Sequence, residues 1–265
     1  MKRRQLIGYA GAGILTTLAV TLNSEYKATA AKTDGLTVQW LGHTCFLFSS
    51  GGTKILVNPF RTIGCTAGYR TPAVATDLVL ISSQLLDEGV VDELPGNPRL
   101  IFEPGVYQFK DDNAGGSAQY QIQGIATDHD RQGGKRFGRN VVWKWTQGGI
   151  NILHLGGAAA PITIEQKILM GRPDLLLIPV GGGAKAYTPQ EAQAAVKALN
   201  PKLIIPTHYR TQAADAANCD IVAVDEFLKL MEGMEVRRSN SDTITLSSGN
   251  LPSDDSVIQE LSYKF

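Results

Sequence analysis

Four side chains that could hold a metal ion come at the ends of apolar segments of the chain. His129 and His208 each follow a run rich in aliphatic residues, and Asp87 and Glu88 follow another. Loops at the carboxyl ends of strands in an open α/β sheet share one rim, so we expect these side chains to meet. Two imidazoles and two carboxylates suit one zinc, iron or manganese ion and are too few for two ions. The predicted ligands are Asp87, Glu88, His129 and His208.

Two other features, His154 and a glycine-rich segment, lie near this predicted rim, whereas His43 lies apart from it. His154 ends a further apolar run, and His43 lies between the first two predicted strands. A single histidine in such a place is more often a hydrogen-bonded structural residue than a ligand. The glycine-rich segment 181–185 also follows an apolar run, but it lacks the Ser or Thr that a phosphate-binding loop has after its lysine. We therefore expect segment 181–185 to line a pocket.

Short segments with alternating or β-branched apolar residues predict strands through most of the chain. The predicted strands are 36–41, 44–48, 53–57, 77–81, 99–102, 120–127, 140–146, 150–155, 174–180, 202–205 and 243–246. Helical spacing predicts helices over 162–170, 188–199 and 221–231, the second of which begins with Thr188 as a cap and Pro189 in its first turn. The polar tail after Gly249 is expected to be loosely attached. This order predicts one α/β domain in which a β-meander half precedes a βαβαβ half.

The N-terminal segment has the pattern of a targeting signal. A basic head that includes Arg3 and Arg4 precedes a diluted apolar stretch, and Ala28-Thr29-Ala30 has the small residues of a cleavage site. The paired arginines resemble a twin-arginine export signal. We expect residues 1–30 to be this signal and residues 31–265 to be a single domain outside the cytoplasm, in a periplasm or thylakoid lumen. An uncleaved membrane anchor is the alternative, and membrane contact is expected only through this segment.

Composition and charge restrict the partners. The chain has 25 basic and 25 acidic residues, and loss of residues 1–30 leaves a net charge of −3. No basic excess attracts nucleic acid, so a small-molecule substrate is expected instead. Basic residues between Arg131 and Arg139 are interpreted as a solvated loop. Three cysteines allow at most one disulfide, and Cys45 lies in an apolar run typical of a buried thiol.

Several segments together resemble the metallo-β-lactamase-fold hydrolases, and in particular the lactonase-like branch that includes ascorbate-phosphate lactonases. The resemblance runs from Val38 to about Leu246. It rests on the segments 38–47, 54–60, 152–156, 177–181, 187–192 and 205–209. It implies a four-layer αββα sandwich and a metal-dependent hydrolase activity.

The signature metal-binding loop departs from the family pattern. Where the family has Thr-His-X-His-X-Asp-His, this chain has Ser-Ser-Gln-Leu-Leu-Asp-Glu over residues 82–88. Ser83 and Leu85 thus replace the first two histidines, and Gly157 stands where a bridging aspartate is expected. Asn58 also replaces an aspartate after the third strand. The resemblance therefore implies at most one divalent ion, zinc foremost, or none if the site is inactive.

The surviving family positions imply roles for individual residues. Asp87, Glu88 and His208 would hold the ion, with His129 as a further ligand or as a general acid or base. The predicted catalytic residues are Asp87 and His129. Two functions remain open: an exported hydrolase of an ester, lactone or phosphoester, and a non-catalytic pseudoenzyme that acts as a binding or assembly protein.

Overall fold

The computed structural model describes residues 35–111 and 118–265, so the signal predicted over residues 1–30 lies outside the described residues. A six-stranded sheet has the order β13-β1-β2-β3-β4-β5. Its strands are β1 (Leu36–Gly42), β2 (Cys45–Ser50), β3 (Thr53–Val57), β4 (Leu78–Leu80), β5 (Arg99–Ile101) and β13 (Thr243–Leu246). Strands β1, β2 and β3 pair antiparallel, which confirms the predicted meander, and β3, β4 and β5 pair parallel.

An eight-stranded sheet forms the second layer, with the order β12-β14-β11-β10-β9-β8-β7-β6. Its strands are β6 (Gly105–Asp111), β7 (Ala118–Asp128), β8 (Arg139–Gln147), β9 (Ile150–His154), β10 (Leu175–Pro179), β11 (Leu203–Thr207), β12 (Glu235–Arg238) and β14 (Val257–Glu260). Gly148 and Gly149 have positive φ angles of 57° and 77° and form the predicted turn between β8 and β9. The parallel strands β9, β10 and β11 confirm the predicted βαβαβ half.

The α-helices within residues 35–111 and 118–265 lie in the second half of the chain. They are α1 (Ile164–Met170), α2 (Pro189–Leu199) and α3 (Val224–Leu230). The hydroxyl of Thr188 accepts a hydrogen bond from the Glu191 amide at 3.2 Å, and the Glu191 carboxylate accepts one from the Thr188 amide at 2.8 Å. This reciprocal capping, with Pro189 in the first turn, is the reason that α2 begins where the sequence predicts.

The core lies between the two sheets, whose apolar faces pack on each other. The rings of Phe48 on β2 and Trp145 on β8 meet edge to face at 4.9 Å, and Phe46 lies 6.0 Å from His154 on β9. His154 donates a hydrogen bond from Nε2 to the carbonyl of Thr44 at 3.0 Å and accepts one at Nδ1 from a backbone amide. Burial lowers the pKa of His154 to about 4, so it is a neutral link between the sheets. The predicted α/β sandwich is confirmed.

The tail after Gly249 is not loosely attached, and this expectation was wrong. Strand β14 lies between β11 and β12 and pairs parallel with both. Val257 and Ile258 are buried, and the ring of Tyr263 packs edge to face on Tyr69 at 4.8 Å. A few apolar residues in an otherwise polar tail are enough to add a strand to a sheet whose neighbouring strands offer backbone groups.

Two further findings concern the state of the cysteines and the length of the helices. Cys65 and Cys219 form a disulfide across 154 residues of sequence, and Cys45 is buried as predicted, which raises the pKa of its thiol. None of the helices in the described ranges is long and apolar enough to cross a membrane.

Candidate metal site

Three possible metal ligands converge at one edge of the sandwich. His43 lies in the turn between β1 and β2, Asp87 in the loop after β4, and His208 directly after β11. One ligand atom from each side chain lies within 4.8 Å of the other two. Among the residues that the structure describes, this is the one group of three His, Cys, Asp or Glu side chains arranged in this way.

The two histidines of this group have unusual backbone conformations. His43 and His208 have φ angles of 53° and 51°, in the left-handed region that most residues avoid. Their rings lie 4.2 Å apart, and the carbonyl of His43 accepts hydrogen bonds from the His208 amide and from Trp40 Nε1. Such conformations cost on the order of 1 kcal/mol each and are common where a structure must present a functional side chain.

The electrostatics leave the imidazole of His208 neutral and Asp87 ionised. Burial, followed by the nearby His43, holds the pKa of His208 well below its ordinary value. Burial opposes ionisation of Asp87, but contact with His43 and the ammonium of Lys185 outweigh it and hold the pKa of Asp87 below its usual range. His43 Nε2 lies 3.8 Å and Lys185 Nζ 2.5 Å from Oδ2 of Asp87. The group thus offers two imidazoles and one ionised carboxylate as possible metal ligands.

Glu88 and His129 form a separate, fully buried pair. His129 Nε2 lies 3.4 Å from Oε2 of Glu88, which also accepts a hydrogen bond from Ser83 at 3.2 Å. His129 Nδ1 lies 2.5 Å from the carbonyl of Gly157 and donates to it, so Nε2 carries no proton in the neutral ring. Burial and the charge of Asp87 raise the pKa of Glu88 to about 8, and burial lowers the pKa of His129. The pair is therefore neutral, with its proton on Glu88.

This pair occupies the space beside Gly157, the position of the bridging aspartate in the resemblance. A Cβ atom on Gly157 would collide with Cε1 of His129 and lie 2.8 Å from Oε1 of Glu88. The amide of Gly157 donates to Asn140 Oδ1 at 2.9 Å, which fixes the backbone there. The Glu88–His129 pair therefore requires a glycine at position 157, because an aspartate side chain would collide with it.

The four residues predicted from the sequence are divided between these two groups. Asp87 and His208 lie together, with His43 as the third member, whereas Glu88 and His129 pair with each other. His43 was not among the predicted ligands, because it lies between the first two strands and a single histidine there is more often a structural residue. The one available signal was its place after Gly42 in a short turn, where a glycine at φ 109° and a left-handed histidine reverse the chain.

The glycine-rich loop after β10 positions the side chain of Lys185 beside Asp87. Arg131 holds this loop by donating to the carbonyls of Gly183 at 3.0 Å and Ala186 at 2.8 Å, and it also pairs with Glu191. Arg131 is therefore a structural residue rather than a free charge. Lys185 is 27% exposed and lies at the edge of a cavity.

Comparison with known proteins identifies the family. Residues 37–208 match the sequence profile described as "Beta-lactamase superfamily domain", so the chain belongs to this superfamily and has the metallo-β-lactamase fold. A UPF0173 metal-dependent hydrolase of Thermoplasma acidophilum is 28% identical over 195 residues, which are 67% of this chain and 85% of the relative. A UPF0173 metal-dependent hydrolase of Thermus thermophilus is 28% identical over 193 residues, 66% of this chain and 84% of the relative.

Solved structures agree with this assignment. A Thermotoga maritima protein described as a Zn-dependent hydrolase of the metallo-beta-lactamase superfamily is 30% identical, with a TM-score of 0.64. The match covers 86% of this chain and all of that protein. An isothiocyanate hydrolase from Delia radicum gut bacteria, 13% identical with a TM-score of 0.59 over 80% of this chain and 99% of its own, shares the fold.

Proposed function

We propose that this protein is a divalent-metal-dependent hydrolase with a single-ion site formed by His43, Asp87 and His208. The observation that carries the proposal is the convergence of these three side chains from three separate loops to within 4.8 Å. Relatives named as metal-dependent hydrolases support a divalent ion in this fold.

The residues present fit such an ion. Nε2 of His43 and Nδ1 of His208 are buried and have no hydrogen-bond partner among the described residues, although buried imidazole nitrogens are normally paired. Two imidazoles with one carboxylate are a known ligand set for zinc and for non-haem iron, and zinc is our first choice. When bound, a divalent ion supplies Lewis acidity that polarises a carbonyl or phosphoryl group and makes water more acidic.

The Glu88–His129 pair supports a site for one ion rather than two. The pair is neutral, with its proton on Glu88, and it packs against Gly157, so it lacks the charge that would favour an additional cation. A site for one ion agrees with the incomplete site that the sequence predicts. The proposed ligands differ from the predicted ones, because His43 replaces both Glu88 and His129.

The chain's own residues have distinct tasks in the proposed reaction. Asp87 provides the negative charge of the site, and burial of His43 and His208 excludes bulk water from one side of it. An ammonium has three donors, and in the part of the chain that the structure describes the ion-pair partner of Lys185 is Asp87. The remaining donors can point at the oxygen of an ester, lactone or phosphoester where negative charge develops during hydrolysis.

We also propose that the protein works outside the cytoplasm. The Cys65–Cys219 disulfide supports this location because disulfides persist mainly in oxidising compartments. Fractionation of cells that express the full chain tests it: we expect the processed protein in the extracytoplasmic fraction, and recovery only from the cytoplasm would contradict the proposal.

One observation favours the non-catalytic alternative. The Lys185 ammonium already neutralises Asp87 at 2.5 Å, so the carboxylate has a partner without any metal ion. A protein that kept the fold as a binding module would keep this ion pair in place of a metal.

Matched variants of two adjacent carboxylates test the proposal. Asp87→Asn and Glu88→Gln each replace a carboxylate by an isosteric amide, and zinc affinity is measured by competition with a chromophoric chelator. Loss of an outer-shell residue costs about 10–100-fold in metal affinity, so loss of a ligand in Asp87→Asn should cost at least about 100-fold. Glu88→Gln should bind zinc as the wild type does.

Hydrolysis of p-nitrophenyl acetate is followed in the same samples. We expect turnover to be lost in Asp87→Asn and kept in Glu88→Gln, with thermal melts showing that both variants fold. Equal loss of zinc affinity in the two variants would contradict the ligand set. A wild-type protein that binds no divalent ion would support the non-catalytic alternative.

A further inference from the structure

A cavity of about 360 Å³ opens beside Asp87 and Lys185. Its apolar wall is formed by Ile63, Leu86 and Phe137, and we call this space the acyl cavity. Ile63 and Leu86 are each 46% exposed, although most residues of their type are buried in a folded domain. A contiguous apolar wall next to a few polar groups is the usual construction of a small-molecule site.

The charges around the acyl cavity argue against an anionic acyl group. Asp87 and Asp220 contribute two negative charges, and Lys185 contributes one positive charge. Asp220 lies close to the glycine-rich loop, because a Cβ atom added to Gly183 would lie 3.1 Å from both of its carboxylate oxygens. Because Lys185 neutralises Asp87, Asp220 leaves one net negative charge on the cavity wall, and this charge favours an uncharged acyl group there.

The loops that form the acyl cavity are tied together. The Cys65–Cys219 disulfide joins the segment that carries Ile63 to the segment that carries Asp220. The Arg61 amide donates to the carbonyl of Leu86 at 2.7 Å, which holds the two apolar loops side by side. The wall is therefore already formed before a ligand binds, which reduces the entropy lost on binding.

We propose that the acyl cavity binds the apolar acyl group of an uncharged carboxylic ester or lactone, with the ester carbonyl at Lys185. This inference rests on the proposed function, because it names the substrate class of the same site. Among the substrates that the sequence left open, it favours carboxylic esters and lactones, because their acyl group suits the apolar wall. A volume of about 360 Å³ is at the lower end for small-molecule sites, so an acyl chain of medium length fits.

Binding without turnover is the first test. Calorimetry with the zinc-loaded full chain compares octanamide with butanamide, two uncharged amides that differ only in methylene groups. Each buried methylene contributes favourably, and with the wall half exposed we expect octanamide to bind about tenfold more tightly. Ile63→Ser combined with Leu86→Ser should remove the difference, and Ile168→Ser, at an exposed position on α1, should leave it unchanged.

Hydrolysis of p-nitrophenyl octanoate, butyrate and phosphate is the second test. We expect kcat/KM to be highest for octanoate and lowest for phosphate, and the double variant to lose the preference for octanoate over butyrate. Tighter octanamide binding without hydrolysis of any ester would refute the proposed function and support the acyl cavity. Hydrolysis without a chain-length preference, or faster hydrolysis of the phosphate, would overturn the acyl cavity and leave the hydrolase intact.

Discussion

The neutral Glu88–His129 pair makes the stability of the metal-free protein fall as the pH rises above neutrality. The pKa of Glu88 is raised from 4.5 to about 8 in the folded state, mainly by burial and then by the charge of Asp87. The folded protein therefore keeps a proton that the unfolded chain has released. The stabilisation is complete below pH 4.5 and is lost as the pH rises through about 8.

The buried histidines have the opposite effect in a lower range of pH. The pKa values of His129, His154 and His208 are lowered by burial from 6.5, so the unfolded state binds more protons below that pH. Stability therefore rises with pH up to about 6.5, and the effect of Glu88 is isolated above it. From pH 6.5 to 9, a folded pKa of about 8 corresponds to a loss of about 2 kcal/mol.

Urea unfolding of chelator-treated protein at both pH values measures this loss, with Glu88→Gln as the control. The wild type should lose about 2 kcal/mol more than the variant between the two values, because the glutamine cannot ionise. Subtraction removes the contribution of other groups that titrate in this range. An equal loss in both proteins would show that Glu88 is already ionised at neutral pH, and the reasoning for a neutral pair would be wrong.

Three further changes should lower stability by separate routes. Replacement of Cys65 and Cys219 by Ser opens a loop of 154 residues and should reduce the free energy of unfolding in urea by about 2–4 kcal/mol. Arg131→Met removes the donors that hold the glycine-rich loop, and a melting-temperature decrease equivalent to about 1 kcal/mol is expected, because its pairing with Glu191 is partly exposed. Asn58→Ala leaves the buried Ser82 amide without its 2.8 Å acceptor and should cost about 1–3 kcal/mol by the same measurement, whereas unchanged stability would contradict that role.

Much of the fold follows from local sequence patterns. The Thr188-Pro189 cap and the double glycine at 148–149 each determine one local geometry, so the α2 and β8–β9 boundaries are predictable. Strands β6, β12 and β14 are different, because charged and polar residues such as those of Glu235–Arg238 carry no alternating pattern. They form strands because neighbouring strands offer them backbone partners, which is a tertiary effect.

The candidate site could be predicted only in part for the same reason. Asp87 and His208 follow strands, and the rule for strand ends places them at one rim. His43 reaches the rim from the other sheet, and only the packing of the two sheets brings it to His208. The pairing of Glu88 with His129 also depends on the absence of a side chain at Gly157, a relation between three distant parts of the chain.

A crystal structure of the zinc-soaked protein, with anomalous diffraction measured at the zinc edge, tests the central claim most directly. We expect one anomalous peak, at about 2.0–2.2 Å from a nitrogen of His43, an oxygen of Asp87 and a nitrogen of His208. The Glu88–His129 pair should be unchanged in this structure. Two peaks, or a peak bound by Glu88 and His129, would contradict the single-ion site proposed for this protein.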